Sequence, residues 1–119
     1  MKAISPEDRK VVNVKDGTWE RFADENGAEE GEVLHANPDA KRGYGFHAYR
    51  MAPGDVTVPH RHDGDEESLV IEGDLIDNDG FRYGPGDLVW LSSGTEHNSR
   101  SENGCLLAVY LAASTAVEG

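Results

Sequence analysis

The sequence has one cysteine, Cys105, so no intrachain disulfide can brace the fold. That fits a reducing compartment, and with no basic neighbour or helix start to lower its pKa, Cys105 reads as an inert core thiol. Long apolar runs are missing as well. No stretch approaches the roughly 20 residues needed to span a bilayer, and the start, Met-Lys-Ala-Ile-Ser-Pro-Glu-Asp, turns polar before a signal-peptide core could form. A cytoplasmic protein without a membrane partner is expected. Basic residues are few, 11 against 23 acidic ones, for a net charge of −12. That sign repels phosphate backbones and anionic lipid surfaces, so nucleic-acid and membrane binding are not expected and the acidity reads as a solvated surface. No segment repeats at a fixed period, which excludes a solenoid or a duplicated barrel.

What the chain does have is turns. It contains 14 glycines among 119 residues, with hydrophobic residues at 37%, a balance that suits one small all-β domain. From Glu32 on, short β-rich runs fall at Glu32 to His35, Tyr44 to Met51, Val56 to Val58, Ser68 to Glu72, Leu75 to Asp77, Phe81 to Tyr83, Leu88 to Leu91, His97 to Ser101 and Cys105 to Leu111. Between them stand clusters such as Asn37-Pro38-Asp39, Pro53-Gly54-Asp55 and Gly84-Pro85-Gly86-Asp87, which carry turn chemistry. A barrel spanning residues 32–111 is expected. Residues 1–31 read as an arm with a β-like run at Val11 to Val14, the aromatics Trp19 and Phe22, and a loop at Ala23 to Gly31. The arm is expected to lay strands on the barrel or on a partner subunit, with Trp19 as apolar anchor. Residues 112–119 read as a fraying tail.

His60 and His62 are two apart, so on an extended strand both side chains leave the same face, which in a closed small barrel can be the interior. Glu66 has the same parity beyond Asp63-Gly64-Asp65, a stretch able to bend its carboxylate back toward them. Imidazole and carboxylate without thiolate suit Fe(II), Zn(II), Mn(II), Ni(II) or Co(II), and the donor types do not choose among these. Surface histidine pairs at this spacing are common, so the surroundings decide. The pair lies in Gly54-x5-His60-x-His62-x3-Glu66-x6-Gly73, and a second block follows as Gly86-x5-Ser92-x-Gly94-x2-His97. Glu67, of opposite parity, is the substitute ligand if the register slips by one. His35 and His47 lie outside both blocks and read as surface or wall histidines. Tyr44, Phe46, Tyr49, Met51, Phe81, Trp90 and Tyr110 either pack the core or line a pocket, and parity alone does not choose.

The two blocks resemble the paired motifs of the cupin superfamily, whose members are jelly-roll barrels. The resemblance implies that His60, His62, Glu66 and His97 hold one divalent metal ion, and that Gly54, Gly73, Gly86 and Gly94 form the turns that position the strands. The departures are Ser92, where the family commonly has Pro, and Ser101, where it often has Asn; neither removes a ligand. The run His-Arg-His-Asp-Gly-Asp-Glu-Glu-Ser-Leu-Val-Ile-Glu-Gly-Asp-Leu, with Gly-Phe-Arg-Tyr-Gly-Pro-Gly-Asp and a late Asn-Gly-Cys, is similar to the ChrR-like cupins over about residues 44 to 111. That subgroup includes the zinc-binding cupin domain of anti-sigma factors and relatives of acetylacetone-cleaving dioxygenases. In the former, sigma binding belongs to a separate helical domain with its own zinc ligands, of which these 119 residues contain no counterpart. The latter bind iron through histidines alone, so Glu66 would be an added ligand.

Three functions follow as expectations. The first is a mononuclear dioxygenase acting on a small dicarbonyl or hydroxy-ketone that chelates open positions on the metal. A zinc module, closed by four ligands and serving stability or small-ligand sensing, is the second. The third is an isomerase or lyase in which the metal stabilises an enolate. A homodimer is expected in each case.

Overall fold

A computed structural model describes residues 1–23 and 29–112 of the chain. Among these, eleven strands and one 3-10 turn (Pro6–Asp8) form, with no α-helix. Strands β1 (Glu20–Ala23), β2 (Glu29–Leu34), β3 (Gly45–Met51), β5 (Glu66–Gly73), β8 (Leu88–Leu91) and β11 (Cys105–Leu111) make a six-stranded sheet in the order β1-β2-β3-β11-β5-β8. Strands β6 (Leu75–Asp77), β7 (Arg82–Tyr83) and β10 (Ser99–Arg100) form a second sheet, and β4 (His60–Arg61) pairs with β9 (Glu96–His97) in a third.

Alternation along β11 shows why the large sheet has a core side. Cys105, Leu107, Val109 and Leu111 are buried, while Tyr110 between them is exposed. Val70 on β5, Met51 on β3 and Leu107 pack together with Cys105 and Val109. Truncating Leu107 to Ala would cost about 2–5 kcal/mol through lost contacts and the cavity left behind. Burial pushes the Cys105 thiol up to about 11, so the expected inert core thiol is what the fold provides.

The turns need their glycines. A Cβ on Gly73, where φ is +83°, would lie 1.9 Å from the Gly104 carbonyl oxygen, so β5 can turn back beside β11 only without a side chain there. Beside it, the buried Asp74 carboxylate accepts hydrogen bonds from the Asn103 side chain, from the backbone N–H groups of Glu102 and Asn103, and from the Ser101 hydroxyl. These bonds, that of Asn103 foremost, hold its pKa at about 2.

Part of the arm departs from its expected form. Val11 to Val14 makes no strand; the chain turns at residues 14–16, where the Asn13 carbonyl accepts from Gly17 N–H at 2.7 Å. With no neighbouring strand to supply ladder partners, β propensity alone does not make a strand. Trp19 lies on this chain's own Arg50 guanidinium, 4.1 Å from ring centroid to Cζ, and its indole N–H donates to the Val14 carbonyl. Strand β1 pairs with β2 at the sheet edge, and β2 itself straddles the expected arm–barrel boundary. Of the expected loop at Ala23 to Gly31, residues 24–28 lie outside the described residues, as do residues 113–119 of the expected tail.

Candidate metal centre

Two stitched turns bring the histidine blocks together. Gly94 N–H donates to the His62 carbonyl at 2.8 Å, Ser93 N–H donates to the Asp65 carboxylate at 2.8 Å, and the Ser93 hydroxyl donates to the Asp63 carbonyl. The segment between His62 and Glu66 is thereby fixed to the turn that precedes His97. Pairing of β4 with β9 then sets His60 directly opposite His97.

Ligand atoms of His60, His62 and His97 lie within 4.8 Å of one another. Atoms bound at about 2.0–2.2 Å from one ion lie roughly 3–3.6 Å apart when adjacent and up to ~4.4 Å when opposite, so the three rings are gathered around one point and close further on an ion. Glu66 reaches the group through a 2.9 Å contact between its carboxylate and His62 Nε2. That spacing is also normal for two adjacent ligands on one ion. Glu67, as strand alternation requires, is exposed on the opposite face.

Two of the three imidazoles are held in a ligating tautomer. His60 Nδ1 donates to the Val58 carbonyl at 2.8 Å, and His97 Nδ1 donates to the Asp77 carboxylate at 3.2 Å, so in the neutral rings Nε2 carries the lone pair. Burial lowers the pKa of His60, and its histidine neighbours lower it further, which favours the neutral form that binds metal. Burial opposes ionisation of Glu66. The hydrogen bond from His62 and the charges of His62, His97 and His60 outweigh that, so its pKa falls below the usual value and the site holds a carboxylate.

Asp77 organises the layer behind the histidines. Besides His97 it accepts from the Tyr83 hydroxyl at 2.7 Å and from the Ser99 hydroxyl at 2.5 Å, and Ser99 N–H donates to the Thr57 hydroxyl at 2.8 Å. Its burial alone would raise the pKa, but these bonds, led by that of His97, bring it below the ordinary carboxylate range. Burial together with the neighbouring Asp77 charge pushes the Tyr83 phenol up, which keeps it a donor. Sequence reading missed Asp77. The available signal was parity: it stands two residues beyond Leu75, and both line the interior.

The cluster forms the polar end of a cavity of about 90 Å³ lined by all three sheets. Its other walls include Tyr49, Met51, Val70, Val89, Leu91 and Leu107. Of the aromatic and methionine candidates from the sequence, Tyr49 and Met51 line the cavity. Phe46, Phe81, Trp90 and Tyr110 are exposed.

His47 is also a cavity-wall residue, and His35 packs on it with ring centroids 4.9 Å apart. Burial lowers the pKa of both, as does their mutual repulsion in the case of His47. His47 Nδ1 donates to the Gly45 carbonyl at 3.0 Å, and His35 Nε2 accepts from Gly43 N–H at 2.9 Å.

A β-barrel of this topology with inward histidines from two turn-bounded blocks is a cupin of the jelly-roll type. More narrowly, the chain belongs to the ChrR Cupin-like domain family, which it matches over residues 7–115. No curated protein matches it. Among solved structures, an RmlC-like cupin protein from Ralstonia eutropha JMP134 is similar at 16% identity and a TM-score of 0.64, over 87% of this chain and 68% of the other. The Drosophila melanogaster CENP-C cupin domain is similar at 12% identity and a TM-score of 0.63, over 87% and 81%. A structure of Rhodobacter sphaeroides SigE in complex with the anti-sigma ChrR is similar at 22% identity and a TM-score of 0.60. That match covers 82% of this chain and spans half the length of the other. These likenesses carry the fold. Among the described residues no helix is long and apolar enough to cross a membrane.

Proposed function

We propose that the chain is a metal-binding cupin in which His60, His62, Glu66 and His97 hold one divalent ion, Fe(II) in the working protein, beside a bound small molecule. The observation that supports it is the cavity: about 90 Å³ of apolar-walled space opens onto the histidine cluster. A site that only braces the barrel has no use for such a space. Its size suits a ligand of a few non-hydrogen atoms and excludes a polymer chain.

Within this reading the substrate is a small dicarbonyl or hydroxy-ketone, cleaved with dioxygen. A bound ion would supply Lewis acidity to a chelating substrate and electrons to dioxygen. The protein supplies the rest: Asp77 orients His97, Glu66 offsets positive charge, and Val89, Leu91 and Leu107 keep water from the reacting atoms.

The family match favours a second reading, a non-catalytic zinc module, because the family is described by its likeness to ChrR. Dioxygen uptake separates the two. Protein reconstituted with Fe(II) and given acetylacetone or hydroxyacetone is expected to consume dioxygen in proportion to substrate cleaved. Bound zinc in the native protein, with no uptake after iron loading, would favour the module.

A further inference from the structure

Most polar side chains that line the cavity already have partners or a role. His60, His62, Glu66 and His97 form the proposed metal centre, while Thr57, Tyr83 and Ser99 are bonded to one another or to Asp77 behind it. His47 and Ser68 belong to neither set, although both line the cavity and are buried, at 5% and 7% exposure. They reach it by strand alternation. His47 shares the inner face of β3 with Tyr49 and Met51, and Ser68 shares that of β5 with Glu66 and Val70. Register then places them side by side. Val109 of β11 stands opposite His47 on one side and opposite Ser68 on the other, so the three form one row across the cavity wall.

The His47 ring is oriented by the fold itself. Its Nδ1 donates to the Gly45 carbonyl, and His35, held in turn by Gly43 N–H, packs against it. Burial keeps the ring neutral, so Nε2 carries a lone pair and acts only as an acceptor. Among the described residues nothing bonds this nitrogen, and nothing bonds the Ser68 hydroxyl. We propose that His47 and Ser68 form a second polar subsite of the cavity, which receives a hydroxyl group at the far end of the bound small molecule. A ligand hydroxyl donates to Nε2 and accepts from Ser68, whereas a carbonyl or methyl group would leave a buried lone pair without a donor. Ser68 stands two residues from Glu66 on β5, about 7 Å along the strand, a distance that a chain of three or four carbons covers. The subsite rests on the metal-bound small molecule proposed above and narrows it to a ketone hydroxylated at both ends, in place of a plain dicarbonyl.

Calorimetric titration of the Fe(II)-loaded full chain, kept free of dioxygen, tests the subsite with two probes that chelate alike and differ by one hydroxyl, dihydroxyacetone and hydroxyacetone. Dihydroxyacetone is expected to bind at least about tenfold more tightly, well beyond the factor of about two that its two equivalent ends supply. His47→Phe, which fills the ring's place without a lone pair, is expected to reduce this preference to about twofold while hydroxyacetone affinity and metal stoichiometry stay unchanged. A merely structural role for His47 would move both probes together. Ser68→Ala should reduce the preference several-fold, and His47→Gln, whose amide oxygen accepts where Nε2 stood, should retain part of it. Equal affinity for the two probes in wild type, or a preference that survives either His47→Phe or Ser68→Ala in full, would overturn the subsite alone. Binding of neither probe would overturn it together with the reading on which it rests.

Discussion

The five histidines of the chain form two groups that differ in what their ring nitrogens do. His60, His62 and His97 gather their ligand atoms within 4.8 Å, with two of the rings oriented by Nδ1 donation and Glu66 beside them. His35 and His47 are nearly as close to each other, 4.9 Å between centroids, but His35 uses its Nε2 lone pair to accept from Gly43 N–H, so the two rings do not offer lone pairs to one point. Proximity of imidazoles is therefore not what makes a metal site. Convergence of three rings' ligand atoms on one point is what separates the first group from the second.

The comparison breaks most sharply at the ligands. His97→Ala is expected to reduce metal affinity by roughly a thousandfold or more, whereas His35→Ala leaves stoichiometry unchanged; calorimetric titration with Zn(II) reads both. Next comes the residue behind the ring. Asp77→Asn removes the carboxylate that fixes His97 and is expected to weaken metal binding by about 10–100-fold, the usual effect of losing such a partner.

A smaller effect concerns pH. The folded pKa of His47 lies below its unfolded value of 6.5, so the unfolded chain binds more protons as pH falls through that value. His47 therefore makes the metal-free protein less stable as pH drops from about 7.5 through 6.5, and the loss levels off below the folded pKa. Denaturation by urea across this window should show a shallower pH slope in His47→Gln than in wild type. A second pH effect lies at the opposite end of the scale. Asp74, at about 2 when folded against 3.8 unfolded, stabilises above the unfolded value, and this is lost as pH falls through the folded one. Asp74→Asn should leave metal binding intact while flattening the acid limb of the stability curve between about pH 4 and 2.

Much of this site could be read in the sequence because its ligands sit beside glycine turns at fixed spacing. Gly54, Gly73, Gly86 and Gly94 all adopt positive φ, as the turn pattern implied. Parity correctly sent Glu66 inward and Glu67 outward along β5. Parity was the wrong reason for His60 and His62, however. Strand β4 ends at Arg61, and His62 joins the cluster because its carbonyl is bound by Gly94 in another turn, a long-range contact that spacing does not encode. The same limit hid Asp77, whose role depends on its register with Ser99, 22 residues on. It also left the aromatics unsorted: Tyr49 faces the cavity and Phe46 the solvent because β3 alternates, but the sequence does not mark which face of β3 is inside.

The central claim is that His60, His62, Glu66 and His97 hold one metal ion. Elemental mass spectrometry of untagged protein, purified without chelators or nickel resin from cells supplied with iron, zinc, manganese and nickel, tests it most directly. The account predicts one divalent ion per wild-type chain and its loss from a folded His97→Ala variant. Wild-type protein that binds no metal, or a variant that keeps its full complement, would contradict it.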